Sequence, residues 1–323
     1  MKSASKVAVC SRSFSANEVL RNELLQKYPN TTFNVAGNSL LGDELFQFIK
    51  GHEKVIVGLE KITGDLISKL PELKVVSKFG VGLDSIDLEA LEKNSISLGW
   101  TSGSNSLSVA ELVVSNALTL LRGTHLHKNE ILNGIWRQTQ GSLLSGKRIG
   151  ILGCNHVGRE VVKLLTPWGC SFDIVDIVEI KEIREMPNVS YVDLDTMLKQ
   201  ADIVTVHLPL NKSTENILPD QKIRLLKPNS ILINTSRGGL IDEQAVKAAL
   251  SENRIFAAAF DVFDSEPPRD LELVKLANFL ATPHIGGSTI EATLTMGRAA
   301  IRGLDVHEIP AVKADNKRIR NGH

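Results

Sequence analysis

Three short blocks in the C-terminal third of the chain each place one candidate catalytic side chain shortly after an apolar run. They read NTSRGG, DVFDSEPP and TPHIGG, and they carry Arg237, Glu266 and His284. A guanidinium binds a carboxylate through paired hydrogen bonds, and an imidazole exchanges a proton near neutral pH. A carboxylate beside the imidazole would orient the ring and favour its charged form. The three residue types together predict proton transfer on an anionic substrate.

Each of these residues also has an ordinary structural interpretation. Arg237 could be a surface arginine beside a turn, Glu266 a loop carboxylate, and His284 a histidine that only satisfies local hydrogen bonds. The two glycines after Arg237 favour function, since they allow close backbone approach. In an open parallel α/β sheet the carboxyl ends of the strands form the ligand crevice, so three such strand ends could form one site.

The composition suits a globular protein of about two domains, at roughly 150 residues per domain. The 323 residues are 42% hydrophobic and 23% charged, and basic and acidic residues number 37 each, which predicts neither a nucleic-acid nor a membrane partner. The chain shows no signal-peptide core and no apolar run of about 18 residues, so we expect a cytoplasmic protein.

The cysteines and histidines do not suggest a metal site. Cys10, Cys154 and Cys170 are odd in number and lack CxxC spacing, so we expect reduced, mostly buried thiols. His125 and His127 are two residues apart on a predicted helix and would point to different faces.

Short β-branched runs alternate with amphipathic stretches from Lys6 to Trp100, and the alternation resumes at Lys147. This order is typical of βαβ units and predicts an α/β fold with parallel sheets. Between the two series, the segment from Ser104 to Gly123 predicts a helix of about four turns with Ser106 or Ser108 as N-cap. It could pack in the core, bridge domains or form a subunit interface. A last helix is predicted from Thr289 to about His307.

The segment GILGCNHVG lies between a predicted strand and a predicted helix, as a nucleotide-binding GxGxxG turn does. Gly153 and Gly158 match the first and third glycines, but Asn155 replaces the second. That glycine lets the backbone approach the pyrophosphate at the helix N-terminus. Asn tolerates positive φ better than most residues, so we expect a surviving site with the phosphates pushed slightly outward. On this hypothesis Asn155→Gly binds the dinucleotide more tightly.

Asp176 ends the next predicted strand, 18 residues after Gly158. An acidic residue at about this distance binds the ribose 2′-hydroxyl and disfavours a 2′-phosphate, which predicts NAD rather than NADP. The alternative is an aspartate that only caps a turn.

Taken together, these features resemble the D-isomer specific 2-hydroxyacid dehydrogenase family, and most of all its phosphoglycerate dehydrogenase branch. The resemblance extends from about Lys54 to about Glu308. Besides the nucleotide turn and the three blocks, it rests on the motifs FGVGLDSID, SNSLSVAE and HLPL.

The resemblance implies an NAD-dependent oxidoreductase that interconverts a D-2-hydroxy acid and a 2-oxo acid. His284 would exchange the hydroxyl proton, Glu266 would stabilise the protonated ring, and Arg237 would bind the carboxylate. Substrate would also contact Val81, Gly82 and Asn105. The residues implied for NAD are Gly153, Asn155, His156, Val157, Gly158, Asp176, Leu208, Thr235, Ser236 and Asp261. Asp261 would face the nicotinamide carboxamide.

The resemblance also implies two Rossmann or flavodoxin-like parallel-sheet domains with an active-site cleft between them, whose closure would exclude water. Residues 1–105 and 287–310 would form a discontinuous substrate domain, residues 106–286 the NAD-binding domain, and residues 311–323 a polar tail. Members of the family are commonly homodimers built around the helix found here near Ser108 to Arg122.

Two departures argue against 3-phosphoglycerate as the substrate. The family's phosphoglycerate dehydrogenases place arginine and serine in a loop where this chain has Val57 to Glu60, and an acidic residue there would repel a phosphate. We also expect no regulatory domain of the phosphoglycerate dehydrogenase kind after the last predicted helix. We therefore expect another small 2-hydroxy or 2-oxo acid. Phosphoglycerate dehydrogenase proper and a non-catalytic NAD(H)-sensing protein are the alternatives.

Overall fold

The computed structural model describes residues 3–311, which divide into two compact units. The first unit contains the residues up to Asn105 and those from Ser288 onward; the second unit runs from Ser106 to Gly287. Apart from Ala311, the predicted polar tail lies outside the described residues.

The helices and strands are numbered in chain order through both units. The strands are β1 (Val7–Val9), β2 (Thr31–Phe33), β3 (Lys54–Val57), β4 (Val75–Lys78), β5 (Ser97–Gly99), β6 (Arg148–Leu152), β7 (Ser171–Val175), β8 (Val189–Tyr191), β9 (Ile203–Val206), β10 (Ile231–Asn234), β11 (Ala257–Phe260) and β12 (Phe279–Ala281). The helices are α1 (Arg12–Ala16), α2 (Glu18–Lys27), α3 (Gly42–Ile49), α4 (Gly64–Ser68), α5 (Leu88–Lys93), α6 (Ser106–Arg122), α7 (Thr124–Leu132), α8 (His156–Leu165), α9 (Lys181–Arg184), α10 (Leu194–Gln200), α11 (Asp220–Ile223), α12 (Glu243–Ser251) and α13 (Ile290–Gly303).

The first unit contains a parallel sheet in the order β2-β1-β3-β4-β5. This is the order of flavodoxin-like folds. Alternate residues of its central strands enter two separate cores, so that Ala8 packs on one face while Val7 and Val9 pack on the other. A strand buried on both faces explains the continuous apolar runs in the sequence.

The second unit contains a parallel sheet in the order β12-β11-β10-β9-β6-β7-β8. From β8 to β12 this is the dinucleotide-binding order 3-2-1-4-5-6 with a seventh strand added at the edge. The predicted fold class, two parallel-sheet α/β domains, is therefore confirmed.

Helix α6 packs against the second unit's sheet. Val109, Val113, Ala117 and Leu120 are buried in one of its two cores, which confirms core packing for this helix. The sequence predicts Ser106 or Ser108 as N-cap, but the helix begins at Ser106, so both serines lie inside it. The Ser108 hydroxyl instead donates to the Gly286 carbonyl at 2.6 Å.

Several short elements were not predicted, among them the edge strands β2 and β8 and the helices α1, α3 and α9. Apart from α3, which has eight residues, each has at most five residues and is too short to show a clear period in the sequence. The last helix also ends earlier than predicted, at Gly303 rather than near His307.

Two sequence expectations concern the chain as a whole. All three cysteines are free and buried, as predicted. None of the helices within residues 3–311 combines the length and apolar character needed to cross a membrane.

Candidate active site

The three sequence blocks follow three adjacent strands of the second unit. Asn234 on β10 pairs with Phe260 on β11, which in turn pairs with Ala281 on β12. The loops carrying Arg237, Glu266 and His284 therefore leave the same end of the sheet from neighbouring strands. This is the carboxyl end, where open parallel sheets bind their ligands.

The Arg237 loop lies directly against the loop that carries Glu266. At Gly238, an added Cβ would lie 2.1 Å from the Phe263 carbonyl oxygen, so only glycine allows this contact. The backbone N–H of Gly239 donates to Asp264 Oδ1 at 2.5 Å. Arg237 itself is half-buried, and its Nη1 donates to the Ser236 carbonyl at 2.7 Å.

His284 and Glu266 form the direct side-chain pair that the sequence analysis anticipated. His284 Nδ1 lies 2.7 Å from Glu266 Oε2, and both side chains are partly accessible, at 44% and 40%. The other carboxylate oxygen of Glu266 accepts from the Phe263 N–H at 3.3 Å. Because an ionised carboxylate only accepts hydrogen bonds, Nδ1 is the protonated ring nitrogen in this pair. Nε2 is then the nitrogen that can exchange a proton with a ligand.

Asp261 holds the backbone on both sides of His284. Its carboxylate is 1% exposed and accepts from the Thr282 hydroxyl at 2.6 Å, the Ile285 N–H at 2.8 Å and the Gly286 N–H at 2.7 Å. Its carbonyl accepts from the His284 N–H at 2.9 Å. Sequence reasoning gave Asp261 only a cofactor contact and missed this anchoring, because its partners are mostly backbone groups.

His284 needs this support because its φ is +54°. This is the left-handed region of the backbone, which residues other than glycine adopt only uncommonly. Hydrogen bonds from both flanking segments to Asp261 can hold such a conformation. The contacts of Asp261 thus fix the direction in which the imidazole leaves the backbone.

The nucleotide turn has the strand, turn and helix order that the sequence predicts. Gly153 follows β6 with φ +93°, and a Cβ there would lie 2.9 Å from Leu208 Cδ2 and 3.0 Å from the His207 backbone. At Gly158, inside α8, a Cβ would lie 2.5 Å from the Gly153 carbonyl oxygen. The first and third glycines are both required by close packing, as in dinucleotide-binding turns.

Asn155 is the N-cap residue of α8, with φ −86° and ψ −137°. The tolerance of asparagine for positive φ is therefore not used here, and that part of the sequence argument is wrong. The Asn155 side chain makes no capping hydrogen bond; its Oδ1 accepts from Arg159 Nη2 at 3.2 Å instead.

Asp176 directly follows β7 and contacts the nucleotide turn. Its Oδ2 accepts from the Cys154 N–H at 2.7 Å, and its Oδ1 accepts from the Val178 N–H at 3.1 Å. Burial, followed by the charge of Asp176, raises the pKa of the Cys154 thiol to about 12. The thiol inside this turn is therefore uncharged at neutral pH.

The remaining residues predicted for NAD follow the carboxyl ends of strands in the second unit's sheet. His156 and Val157 open α8, and Leu208 follows β9. The Ser236 hydroxyl donates to the Leu208 carbonyl at 2.5 Å, which ties the ends of β9 and β10 together.

Two buried polar atoms at these strand ends have no hydrogen-bond partner within the described part of the chain, Thr235 Oγ1 and His207 Nδ1. Burial lowers the pKa of the His207 ring to about 3. Since buried polar groups are normally satisfied, such atoms indicate a place for a polar ligand. The turn, the acidic residue and Thr235 together fit a dinucleotide.

The residues predicted to bind substrate through their backbone belong to the first unit. Val81 and Gly82 follow β4, and the Val81 carbonyl accepts from the Trp100 indole N–H at 3.0 Å. Asn105 is half-buried at the end of the first unit. Their roles remain predictions.

Comparison with known proteins gives a family for the chain. Residues 114–286 match the family model described as the NAD-binding domain of D-isomer specific 2-hydroxyacid dehydrogenases.

Individual relatives agree with this match. The chain is 38% identical to D-3-phosphoglycerate dehydrogenase of Methanocaldococcus jannaschii over 80% of its length, although the alignment covers only half of that protein. It is 35% identical to hydroxypyruvate reductase of Thermotoga maritima, over 87% of this chain and 93% of that one. A solved 2-hydroxyacid dehydrogenase from Ketogulonicigenium vulgare Y25 superposes with a TM-score of 0.80 at 26% identity, covering 94% of this chain and 95% of that one.

The family match extends over more than half of the chain, and the matched residues contain the strands β6 to β12, the nucleotide turn and the His284 loop. It confirms NAD as the cofactor. The chain therefore belongs to the family of D-isomer specific 2-hydroxyacid dehydrogenases, as an NAD-dependent enzyme whose NAD-binding domain contains residues 114–286.

Proposed function

We propose that this protein reduces a small, unphosphorylated 2-oxo acid to the D-2-hydroxy acid, and catalyses the reverse oxidation, with Arg237, Glu266 and His284 as its catalytic residues. The observation that carries the proposal is the 2.7 Å bond between His284 Nδ1 and Glu266 Oε2. It leaves the opposite ring nitrogen available for the substrate, beside a loop that presents an arginine.

Bound NAD accepts or supplies the hydride. During oxidation, His284 Nε2 accepts the proton of the substrate hydroxyl, and the ring becomes a cation beside Glu266. The carboxylate stabilises that cation through the Nδ1 bond and keeps the ring in one orientation. During reduction, the protonated ring donates the Nε2 proton to the C2 carbonyl oxygen as negative charge develops on that oxygen. Arg237 binds the substrate carboxylate through its guanidinium fork and polarises the adjacent carbonyl.

A substrate screen with a histidine variant tests this assignment. NADH oxidation should be measured with a panel of 2-oxo acids that includes glyoxylate and hydroxypyruvate. We expect turnover of at least one acid by the native protein and a loss of roughly a thousandfold in kcat for His284→Ala. His125→Ala, at a histidine whose ring contacts a backbone carbonyl, is the matched control. Tight NADH binding without turnover of any acid would contradict the proposal and favour an NAD(H) sensor.

The loop after β3 argues against a phosphorylated substrate. Glu60 is 8% exposed, and its Oε2 accepts from the Gly58 N–H at 2.6 Å, so the loop is folded around a carboxylate. Leu59 is the outward residue of the loop, at 81% exposure. An exposed leucine offers a phosphate neither a positive charge nor a hydrogen-bond donor, and the buried ammonium of Lys78 donates to the Gly58 carbonyl of the loop.

The relatives do not decide this choice, because the Thermotoga maritima protein is named for an unphosphorylated acid and the Methanocaldococcus jannaschii protein for a phosphorylated one. The proposal therefore depends on the loop after β3. We expect hydroxypyruvate to be reduced with a kcat/KM at least tenfold higher than 3-phosphohydroxypyruvate. A preference for the phosphorylated acid would favour phosphoglycerate dehydrogenase proper.

We also propose that the protein is a homodimer, with an interface centred beside α6 rather than on it. The apolar face of α6 is used inside the second unit, whereas none of the described residues Thr124–Leu132 of α7 is buried. The segment that contains α7 exposes a cluster of large apolar side chains: Leu126, Ile131, Leu132, Ile135, Trp136 and Leu143. Trp136 alone is 82% exposed. A second copy of this chain would cover such a surface.

Light scattering during size-exclusion chromatography tests the dimer. The native chain should elute with the mass of two copies, and the double substitution Leu132→Glu with Trp136→Glu should give one copy. Val35→Glu, at a residue 75% exposed in the first unit, should leave the dimer intact. A native monomer at micromolar concentration would contradict this interface.

We propose a cytoplasmic location for the protein. The support is its three free, buried cysteines, which suit a reducing compartment.

A further inference from the structure

The bond between Asn155 and Arg159 gives a specific role to the substituted glycine position. An asparagine at an N-cap normally accepts from the N–H of the second or third helical residue. Here the Asn155 amide oxygen accepts from Arg159 Nη2 at 3.2 Å and makes no capping bond. The side chain is therefore used to hold an arginine.

The spacing puts that arginine over the beginning of α8. Asn155 and Arg159 are four residues apart, so their side chains share one face of the helix. Long helical side chains point back toward the N-terminus. The guanidinium consequently lies near the first turn of the helix, where the macrodipole and the turn attract the pyrophosphate of a dinucleotide.

The charge of Arg159 is not neutralised by an acidic neighbour. No carboxylate among the described residues forms an ion pair with it, whereas the adjacent Glu160 pairs with Lys163 at 2.8 Å. The guanidinium also acts on the turn itself, because its charge opposes the rise in the pKa of the Cys154 thiol. An arginine with this placement can bind a phosphate through two hydrogen bonds.

We propose that Arg159 is a phosphate-binding residue of the NAD site and that Asn155 is the residue that positions it. The second glycine of the motif normally allows the backbone to approach the pyrophosphate, and Asn155 limits that approach. A guanidinium supplied from the next helical turn replaces the lost backbone contact with a charged one. The inference rests on NAD as the cofactor and not on the reaction.

Equilibrium binding of NADH without substrate tests the role of Arg159. Arg159→Gln should raise the Kd about tenfold at low salt, and the difference should shrink as salt screens the charge. Arg159→Lys should weaken NADH binding less than Arg159→Gln, because lysine keeps the positive charge but lacks the paired N–H donors of the guanidinium. Lys163→Gln removes the same charge one turn further along α8 and should change the Kd by less than twofold. Thermal unfolding without NADH should show that all the variants fold.

A double-mutant cycle tests the role of Asn155. Asn155→Ala, which keeps Cβ but removes the amide, should weaken NADH binding about threefold when Arg159 is present and have no effect in the Arg159→Gln background. Asn155→Gly should bind NADH more tightly than Asn155→Ala, and this difference isolates the steric effect expected from the sequence.

A Kd for Arg159→Gln within twofold of the native value would overturn the proposal, as would an equal effect of Asn155→Ala in both backgrounds. Neither result would affect the roles proposed for His284 and Glu266. Conversely, a native protein that binds NADH through Arg159 but turns over no 2-oxo acid would contradict only the proposed reaction.

Discussion

At the scale of single residues, the hydrogen bond between His284 and Glu266 determines which imidazole nitrogen can exchange a proton with a substrate. The three ionisable residue types were recognisable from the sequence because each follows an apolar run and is adjacent to a glycine or a proline. Two features of the same loops were not recognisable. The left-handed backbone of His284 and the three side-chain bonds of Asp261 depend on contacts between residues more than twenty positions apart.

Substituting Glu266 tests the orienting role of this carboxylate. Glu266→Gln keeps the shape of the side chain but cannot stabilise a ring cation, so we expect kcat to fall roughly a hundredfold. The KM for the 2-oxo acid should change little, since Arg237 binds the carboxylate. Steady-state kinetics with NADH measure both values, and Glu272→Gln, at a surface carboxylate paired with Lys275, is the control. A variant with native kcat would contradict the role of Glu266.

The partly buried His207, whose Nδ1 atom is inaccessible, should make the stability of the protein depend on pH. Burial lowers the pKa of its ring to about 3, so the folded state keeps the ring neutral at pH values where the unfolded chain protonates it. The unfolded state then binds more protons below about pH 6.5, and stability falls as the pH decreases. His207 should account for about 2 kcal/mol of lost unfolding free energy between pH 7.5 and pH 5.

Urea denaturation of the protein without NAD measures this effect. His207→Gln can still bond to Thr205, whose hydroxyl lies 3.0 Å from His207 Nε2, and should lose less stability over the same pH range. The same pH dependence in both proteins would show that His207 is not its source.

At the scale of helices and strands, the site depends on three neighbouring parallel strands that end together. Their existence could be predicted, because β10 and β11 are continuous apolar runs buried on both faces and β12 is a shorter apolar run. Their adjacency could be expected only from the resemblance, since a sequence without homologues does not show strand order. The edge strands β2 and β8 were missed because their sequences, TTF and VSY, are only partly buried and form no apolar run.

Among the residues of these loops, Asp261 should lower the stability and the activity of the protein most when it is substituted. Asp261→Asn replaces one acceptor oxygen with an amide that faces backbone N–H groups, so we expect a loss of about 2 to 4 kcal/mol in unfolding free energy. Activity should also fall, because the His284 backbone loses its support. Urea denaturation and kinetics measure the two effects. Asp270→Asn, at an exposed carboxylate paired with Lys247, should change neither by a comparable amount, and equal losses in both variants would contradict the anchoring role.

At the scale of the whole chain, the sequence motifs extend through both units and the two sheet orders are those of nucleotide-binding α/β folds. The division near Asn105 is visible in the sequence as the start of a long apolar helix between two strand series. The exposed apolar surface around Trp136 was not recognised, because α7 is short and lacks a pronounced apolar face. The sequence motifs identify the reaction class, while the loop of Leu59 and Glu60 bears on the substrate.

The stereochemistry of the product tests the central claim most directly. The protein should be incubated with NADH and the 2-oxo acid it reduces fastest among those with a chiral product, which excludes glyoxylate because glycolate is achiral. The hydroxy acid should then be resolved by chiral chromatography. We predict that the product is the D isomer and that His284→Ala forms almost none of it. Formation of the L isomer by the native protein would contradict the account.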